Sequence, residues 1–144
     1  MKTRLLFGMA MSSLFMTACI GCGPQQRPPE KFIIKTVKQY FDDAENQKEF
    51  CDKCPSDYSY RKGILGLRYD SFKIMENGKY IPSLKLWPVK LSVVFSGECT
   101  CSADSSNGTT AGKEQWNKTV YCAFQLKEDD NGMEKWTGGI LKVK

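Results

Sequence analysis

The chain has 144 residues, seven cysteines, no histidine and a formal net charge of +5 at neutral pH. The absence of histidine removes the commonest general base, so catalytic triads of the Ser-His-Asp kind are excluded and no catalytic residue, metal site or cofactor is predicted. Basic residues are scattered among acidic ones without a long basic run, so nucleic acid is not predicted as a partner.

The first 18 residues have the order of a secretory signal peptide. Lys2 and Arg4 form a basic head, and an apolar run from Leu5 to about Met16 is followed by small residues. That run, at about 12 residues, is too short to span a bilayer of about 30 Å as a helix. We predict that residues 1–18 are a signal peptide, whose removal leaves a net charge of about +3 of the original +5.

The segment Met16-Thr17-Ala18-Cys19 resembles a bacterial lipobox, in which the cysteine carries acyl chains such as palmitate and becomes the new N-terminus. The resemblance implies lipidation of Cys19, with Cys22 as the alternative. Cleavage before Cys19 leaves six further cysteines, an even set that suits complete pairing, whereas cleavage before Cys22 leaves five. Because Ile20 rather than Asp follows, we expect by analogy with lipoprotein sorting an outer-membrane protein that faces the periplasm or the cell surface.

Residues 19–29 are predicted to form a lipidated tether, because five Gly and Pro residues oppose both helix and strand. Residues 30–47 are predicted to form a helix, because apolar side chains recur at helical spacing in one stripe: Ile33, Ile34, Val37, Tyr40, Phe41 and Ala44. The polar side of this helix carries charges of both signs. We therefore expect the stripe to pack on the domain's own sheet rather than on a membrane.

Beyond residue 63 the apolar period changes from 3.6 to 2, which indicates strands. We predict strands over residues 64–75, 80–86, 89–101, 119–127 and 136–143, with a hairpin turn at residues 76–79 and a polar loop over residues 102–118. This order predicts that residues 30–144 form a single α+β domain. Its N-terminal amphipathic helix would pack on a curved antiparallel sheet of about five strands.

The helix FIIKTVKQYFDDA and the closing segment YCAFQLKEDDNGMEKWTGGILKV resemble nuclear-transport-factor-2-like domains of bacterial lipoproteins. The resemblance extends over residues 30–47 and 89–144. It implies a concave sheet face wrapped by a helix, which that family uses for binding and only sometimes for catalysis. Aromatic residues such as Trp87, Trp116 and Trp136 would then either line a ligand-binding cavity or fill the core.

The remaining cysteines of an exported chain point to disulfides. Cys51 and Cys54 form a C-x-x-C pair, and Cys99 and Cys101 form a C-x-C pair on the predicted buried face of a strand. Cys122 shares that face, so we expect it to bond to one member of the C-x-C pair, while the other member reaches the C-x-x-C pair. The alternatives are a zinc ion held by the four paired cysteines and a redox-active C-x-x-C pair.

These observations favour a small, non-enzymatic, lipid-anchored protein of the cell envelope, which binds an unknown envelope protein or assists assembly at the membrane. One alternative is a small-ligand-binding protein with a cone-like pocket, for which we expect an apolar cavity under the helix. The other is an exported thiol oxidoreductase that uses Cys51 and Cys54, which requires an accessible cysteine of low pKa.

Overall fold

The computed structural model describes residues 27–54, 62–101 and 109–144. Helix α1 spans Glu30–Asp42, the short helix α2 spans Ala44–Gln47, and a 3-10 turn follows at Lys48–Phe50. The strands are β1 (Lys62–Asn77), β2 (Trp87–Cys101), β3 (Thr109–Glu128) and β4 (Glu134–Val143). They form an antiparallel sheet in the order β1-β2-β3-β4, so each strand pairs with its neighbour along the chain.

The prediction of an α+β domain with a helix on about five strands is wrong. The described residues form mostly a four-stranded antiparallel sheet, accompanied by a short helical segment. The predicted strand over residues 80–86 is instead a series of turns, closed by a single bridge between Ile81 and Leu86. Pro82 cannot donate to a strand ladder, and Lys85 has a left-handed φ of 52°, so this segment does not continue as a strand.

Both predicted connections between strands also lie elsewhere. β1 continues to Asn77, which pairs with Val89, so the link to β2 is the whole segment 78–86 rather than the predicted turn at residues 76–79. β3 begins ten residues before the predicted strand over residues 119–127, inside the segment that we expected to be a polar loop. The hairpin of β2 and β3 is therefore longer than the sequence pattern indicates.

The predicted helix over residues 30–47 is interrupted at Asp43. The backbone there is extended, with φ −72° and ψ 124°. The Asp43 carboxylate accepts hydrogen bonds from the backbone N–H groups of Glu45 and Asn46, which caps the start of α2. No helix within the described ranges is long and apolar enough to cross a membrane.

One face of the sheet packs against α1. The buried side chains of α1 are Ile33, Val37 and Phe41, all of them on the predicted apolar stripe. They join alternate residues of β2 and β3 in one core: Trp87, Val89, Leu91, Val93, Phe95, Cys99, Cys101, Trp116, Val120, Cys122 and Phe124. Four aromatic rings contact one another here, with centroid distances from 4.7 to 5.5 Å between contacting pairs: Phe41, Phe50, Phe95 and Trp116. Aromatic rings thus fill the space between this part of α1 and the sheet.

Candidate functional site

Two disulfides join the end of the helical segment to the end of β2. Cys51 pairs with Cys99 and Cys54 pairs with Cys101, with a Cα–Cα distance of 5.6 Å in both. The four cysteines are no more than 5% exposed. The prediction of disulfide bonds is confirmed, and the C-x-x-C pair is fastened to the C-x-C pair.

Cys122 is a free, buried cysteine. Its neighbour across the sheet is Val89, ten residues along β2 from Cys99. The expectation that Cys122 bonds to Cys99 or Cys101 is therefore wrong, because the early start of β3 shifts its pairing along β2. Burial raises the pKa of the Cys122 thiol to about 12, so the thiol stays protonated at neutral pH.

The two disulfides argue against both alternatives for the cysteines, a zinc site and a redox-active C-x-x-C pair. All four paired sulfurs are in disulfides, which leaves no thiolate among them to bind zinc, and no group of three or more ligating side chains occurs in the described segments. Cys51 and Cys54 are bonded to β2 rather than to each other, and both are buried, so an attacking thiolate has little access. The lipidation candidates Cys19 and Cys22 lie outside the described residues.

The sheet face opposite α1 has an open groove where the strands on both sides of β2 bulge. Gly66 in β1 and Gly112 in β3 have left-handed φ values of 64° and 89°, which glycine adopts readily because it lacks a Cβ. Register shifts in the β1–β2 and β2–β3 pairings mark the two bulges. The groove has a volume of about 610 Å³. We call it the bulge groove.

The bulge groove combines charges of both signs with an exposed apolar side chain. It is lined by Leu65, Gly66, Arg68, Ser96, Gly97, Glu98, Lys113, Glu114 and Gln115. Leu65 is 62% exposed, and Lys113 is also exposed. Glu114 forms a 3.1 Å ion pair with Lys53, which leaves the Lys113 charge unpaired among the described residues. This mixture suits a polypeptide, which presents apolar and polar groups together, better than a polyanion.

Asp70 contacts two of the side chains at the polar end of the bulge groove. Its carboxylate accepts hydrogen bonds from Gln115 Nε2 at 3.1 Å and from Arg68 Nε at 3.3 Å. The hydrogen bond from Gln115, with smaller contributions from Ser96 and Arg68, lowers the pKa of the Asp70 carboxyl below its ordinary value. The Arg68 side chain remains 79% exposed in this pair, so most of it is available to a partner.

Sequence reasoning did not find the bulge groove. Leu65 and Arg68 lie in a predicted strand and Lys113 lies in a predicted loop, and nothing in the pattern joins them. The available signal was Gly66, since a glycine inside an alternating strand often marks a bulge. The tryptophans proposed for a cavity do not line this groove: Trp87 and Trp116 are buried in the core, and Trp136 is half-buried against it.

No protein-family model, curated protein or solved structure matches this chain. The lipobox and the nuclear-transport-factor-2-like resemblance therefore stay predictions.

Proposed function

We propose that this protein is a small, non-enzymatic lipoprotein of the cell envelope, which is anchored through Cys19 and binds a protein partner through the bulge groove. One observation carries the proposal. The face of the sheet under α1 is closed by a filled aromatic core, whereas the opposite face has an open groove with Leu65, Arg68 and Lys113 exposed. An apolar contact flanked by charges is what a transient protein interface requires.

Export and anchoring are supported by independent features. The segment before Cys19 has the charge and hydropathy order of a secretory signal. Two buried disulfides suit an oxidising compartment. Ile20 after the lipidated cysteine favours the outer membrane, by the sorting analogy given above.

The disulfides also support a binding role because Cys99 fastens β2 next to a residue that lines the bulge groove. Glu98, which lines the groove, immediately precedes Cys99 in β2. A strand fastened at this point loses little conformational freedom when a partner binds, which favours affinity.

The small-ligand alternative is less well supported. It requires an apolar cavity under α1, and the rings of Phe41, Phe95 and Trp116 occupy that space. A small ligand would have to use the bulge groove, which is open and carries several charges.

A photo-crosslinking residue at Leu65 tests the partner proposal in the native membrane. The matched control is Met133, which is 64% exposed against 62% for Leu65 but lies at the β3–β4 turn. We expect one repeatable crosslinked protein from position 65 and none from position 133. The combined change Arg68→Glu with Lys113→Glu should abolish this product. Equal products at both positions, or no product at position 65, would contradict the proposal.

Lipid labelling tests the anchor separately. Incorporation of labelled palmitate should be lost in Cys19→Ser and retained in Cys22→Ser. The opposite pattern would assign the lipid to Cys22, and labelling of neither wild type nor variant would exclude the anchor.

A further inference from the structure

The side of α1 that faces away from its buried stripe carries a row of lysines. Lys31, Lys35 and Lys38 are exposed and recur at helical spacing, and the exposed Arg27 precedes the helix. None of these four cations forms an ion pair with a described residue. Lys38 lies over the rings of Tyr69 and Phe72, at 5.3 and 5.6 Å from their centroids. A groove of about 410 Å³ runs along this row, with the half-buried Ile34 among its lining residues.

We infer that this basic flank, comprising Arg27, Lys31, Lys35 and Lys38, docks on the anionic phospholipid headgroups of the membrane that holds the lipid at Cys19. The inference rests on the proposed lipid anchor and adds the orientation of the domain. The bulge groove is on the opposite face of the sheet, so docking through the flank leaves it accessible to a protein partner.

The short length of chain between Cys19 and α1 supports the membrane surface as the partner of the basic flank. Pro28 is buried, so the chain is already packed against the described part of the protein at this residue. Only seven residues lie between Cys19 and Arg27, so the eight steps from one Cα to the next span at most about 29 Å when the chain is fully extended. The first turn of α1 therefore stays near the headgroups, where a high effective concentration makes weak charge attraction sufficient for docking.

The distribution of charge along the helical segment supports the same orientation. From Arg27 to Lys38 the chain has four cations and one anion, whereas from Gln39 to Phe50 it has four anions and one cation. The anions Asp42, Asp43, Glu45 and Glu49 are all exposed. An anionic surface attracts the first half and repels the second, so α1 should approach the membrane with its N-terminal end.

Lysine acylation measured by mass spectrometry tests the docking on the lipidated full protein. The protein is placed in phosphatidylcholine vesicles with or without one third phosphatidylglycerol. We expect the acylation rates of Lys31 and Lys35 to fall about tenfold or more on the anionic vesicles and to recover in high salt. The exposed lysines 127, 135 and 142 serve as internal controls, with unchanged rates. Equal rates for Lys31 and Lys35 on both vesicles would overturn the inference.

A charge-neutral variant provides the second measurement. On anionic vesicles, backbone hydrogen exchange of α1 should slow in the wild type but not in a variant with Lys31, Lys35 and Lys38 changed to Gln. The matched control changes Lys127, Lys135 and Lys142 to Gln and should behave as the wild type. Slowed exchange in the first variant would contradict docking through the flank.

The mass of the N-terminal peptide shows whether Cys19 carries lipid. This measurement distinguishes a failure of the docking from a failure of the proposed anchor. Lipid at Cys19 without protection of the flank would overturn the docking and leave the anchor intact. Protection of the flank without lipid at Cys19 would support the docking and exclude Cys19 as the anchor.

Discussion

The indole Nε1 of Trp116 donates a 3.1 Å hydrogen bond to the backbone carbonyl of Phe50, and the pair is buried. The bond ties β3 to the 3-10 turn that immediately precedes Cys51. It thereby connects the aromatic core under α1 with the start of the disulfide-bonded segment, and it gives a buried carbonyl the donor that it requires.

Replacing Trp116 with Phe should lower the free energy of unfolding by about 1 to 3 kcal/mol, because the Phe50 carbonyl loses its donor while it remains buried. Urea denaturation measures the change. The control is Trp136→Phe, at a half-buried residue whose indole donates no hydrogen bond to a described residue. Equal losses in the two variants would show that the Trp116 bond contributes nothing of its own.

The two disulfides should contribute non-additively. Each closes a long loop, with sequence separations of 48 and 47 residues, but once one is formed the other closes only a small ring. In the chain-entropy account, removing either pair by Cys→Ala substitution should cost about 2 kcal/mol. Removing both should cost about 6 kcal/mol, since the closure of the long loop is then lost as well. A double-mutant cycle compares the loss of unfolding free energy on removing both disulfides with the sum of the two single losses. Equality of the two would refute this coupling.

The adjacent glycines Gly138 and Gly139 in β4 should differ in their tolerance of substitution by alanine. A Cβ at Gly138 would overlap the Ala123 carbonyl oxygen and the Phe124 ring, whereas a Cβ at Gly139 would meet no atom within 4 Å. We expect Gly138→Ala to destabilise the protein by about 1 to 3 kcal/mol, through forced movement of packed neighbours. Gly139→Ala should change stability by less than about 0.5 kcal/mol. Thermal unfolding of the pair distinguishes the outcomes, and a tolerated Gly138→Ala would contradict the close approach of β3 and β4.

Cys122 should make stability fall with pH in the alkaline range. Its folded pKa of about 12 lies above the ordinary value of 9.0, so the unfolded state loses the thiol proton first. The contribution of the protonated Cys122 thiol to the free energy of unfolding is fully present below pH 9 and is lost as the pH rises toward 12. The stability difference between wild type and Cys122→Ala should therefore narrow from pH 8 to pH 10 in urea titrations. A constant difference would argue against burial of the thiol.

Alkylation provides a direct check on the same residue. Iodoacetamide at pH 8 should modify Cys122 only after denaturation, because the native thiol is buried and protonated. Modification of the folded protein at the rate of an exposed thiol would be inconsistent with this position in the core.

The sequence by itself determined many of the side chains that face the core. Helical spacing placed Ile33, Val37 and Phe41 on one stripe, and alternation placed Val89 and Cys122 on the buried sheet face. All five are buried in the structure. Such periods are local, because each residue's direction follows from the backbone geometry of its own helix or strand.

The tertiary structure decided which residues meet. Alternation fixes the face of a strand but not its register, since a slide by an even number of residues leaves every side chain on the same face. β3 slides by ten residues from the expected pairing, so Cys122 stays buried but meets Val89 instead of Cys99. The same long-range pairing brings Cys51 to Cys99 and opens the bulge groove beside Gly66. These pairings and the groove depend on the positions of the turns and on the packing of the strands. The spacing of apolar residues within one element specifies neither.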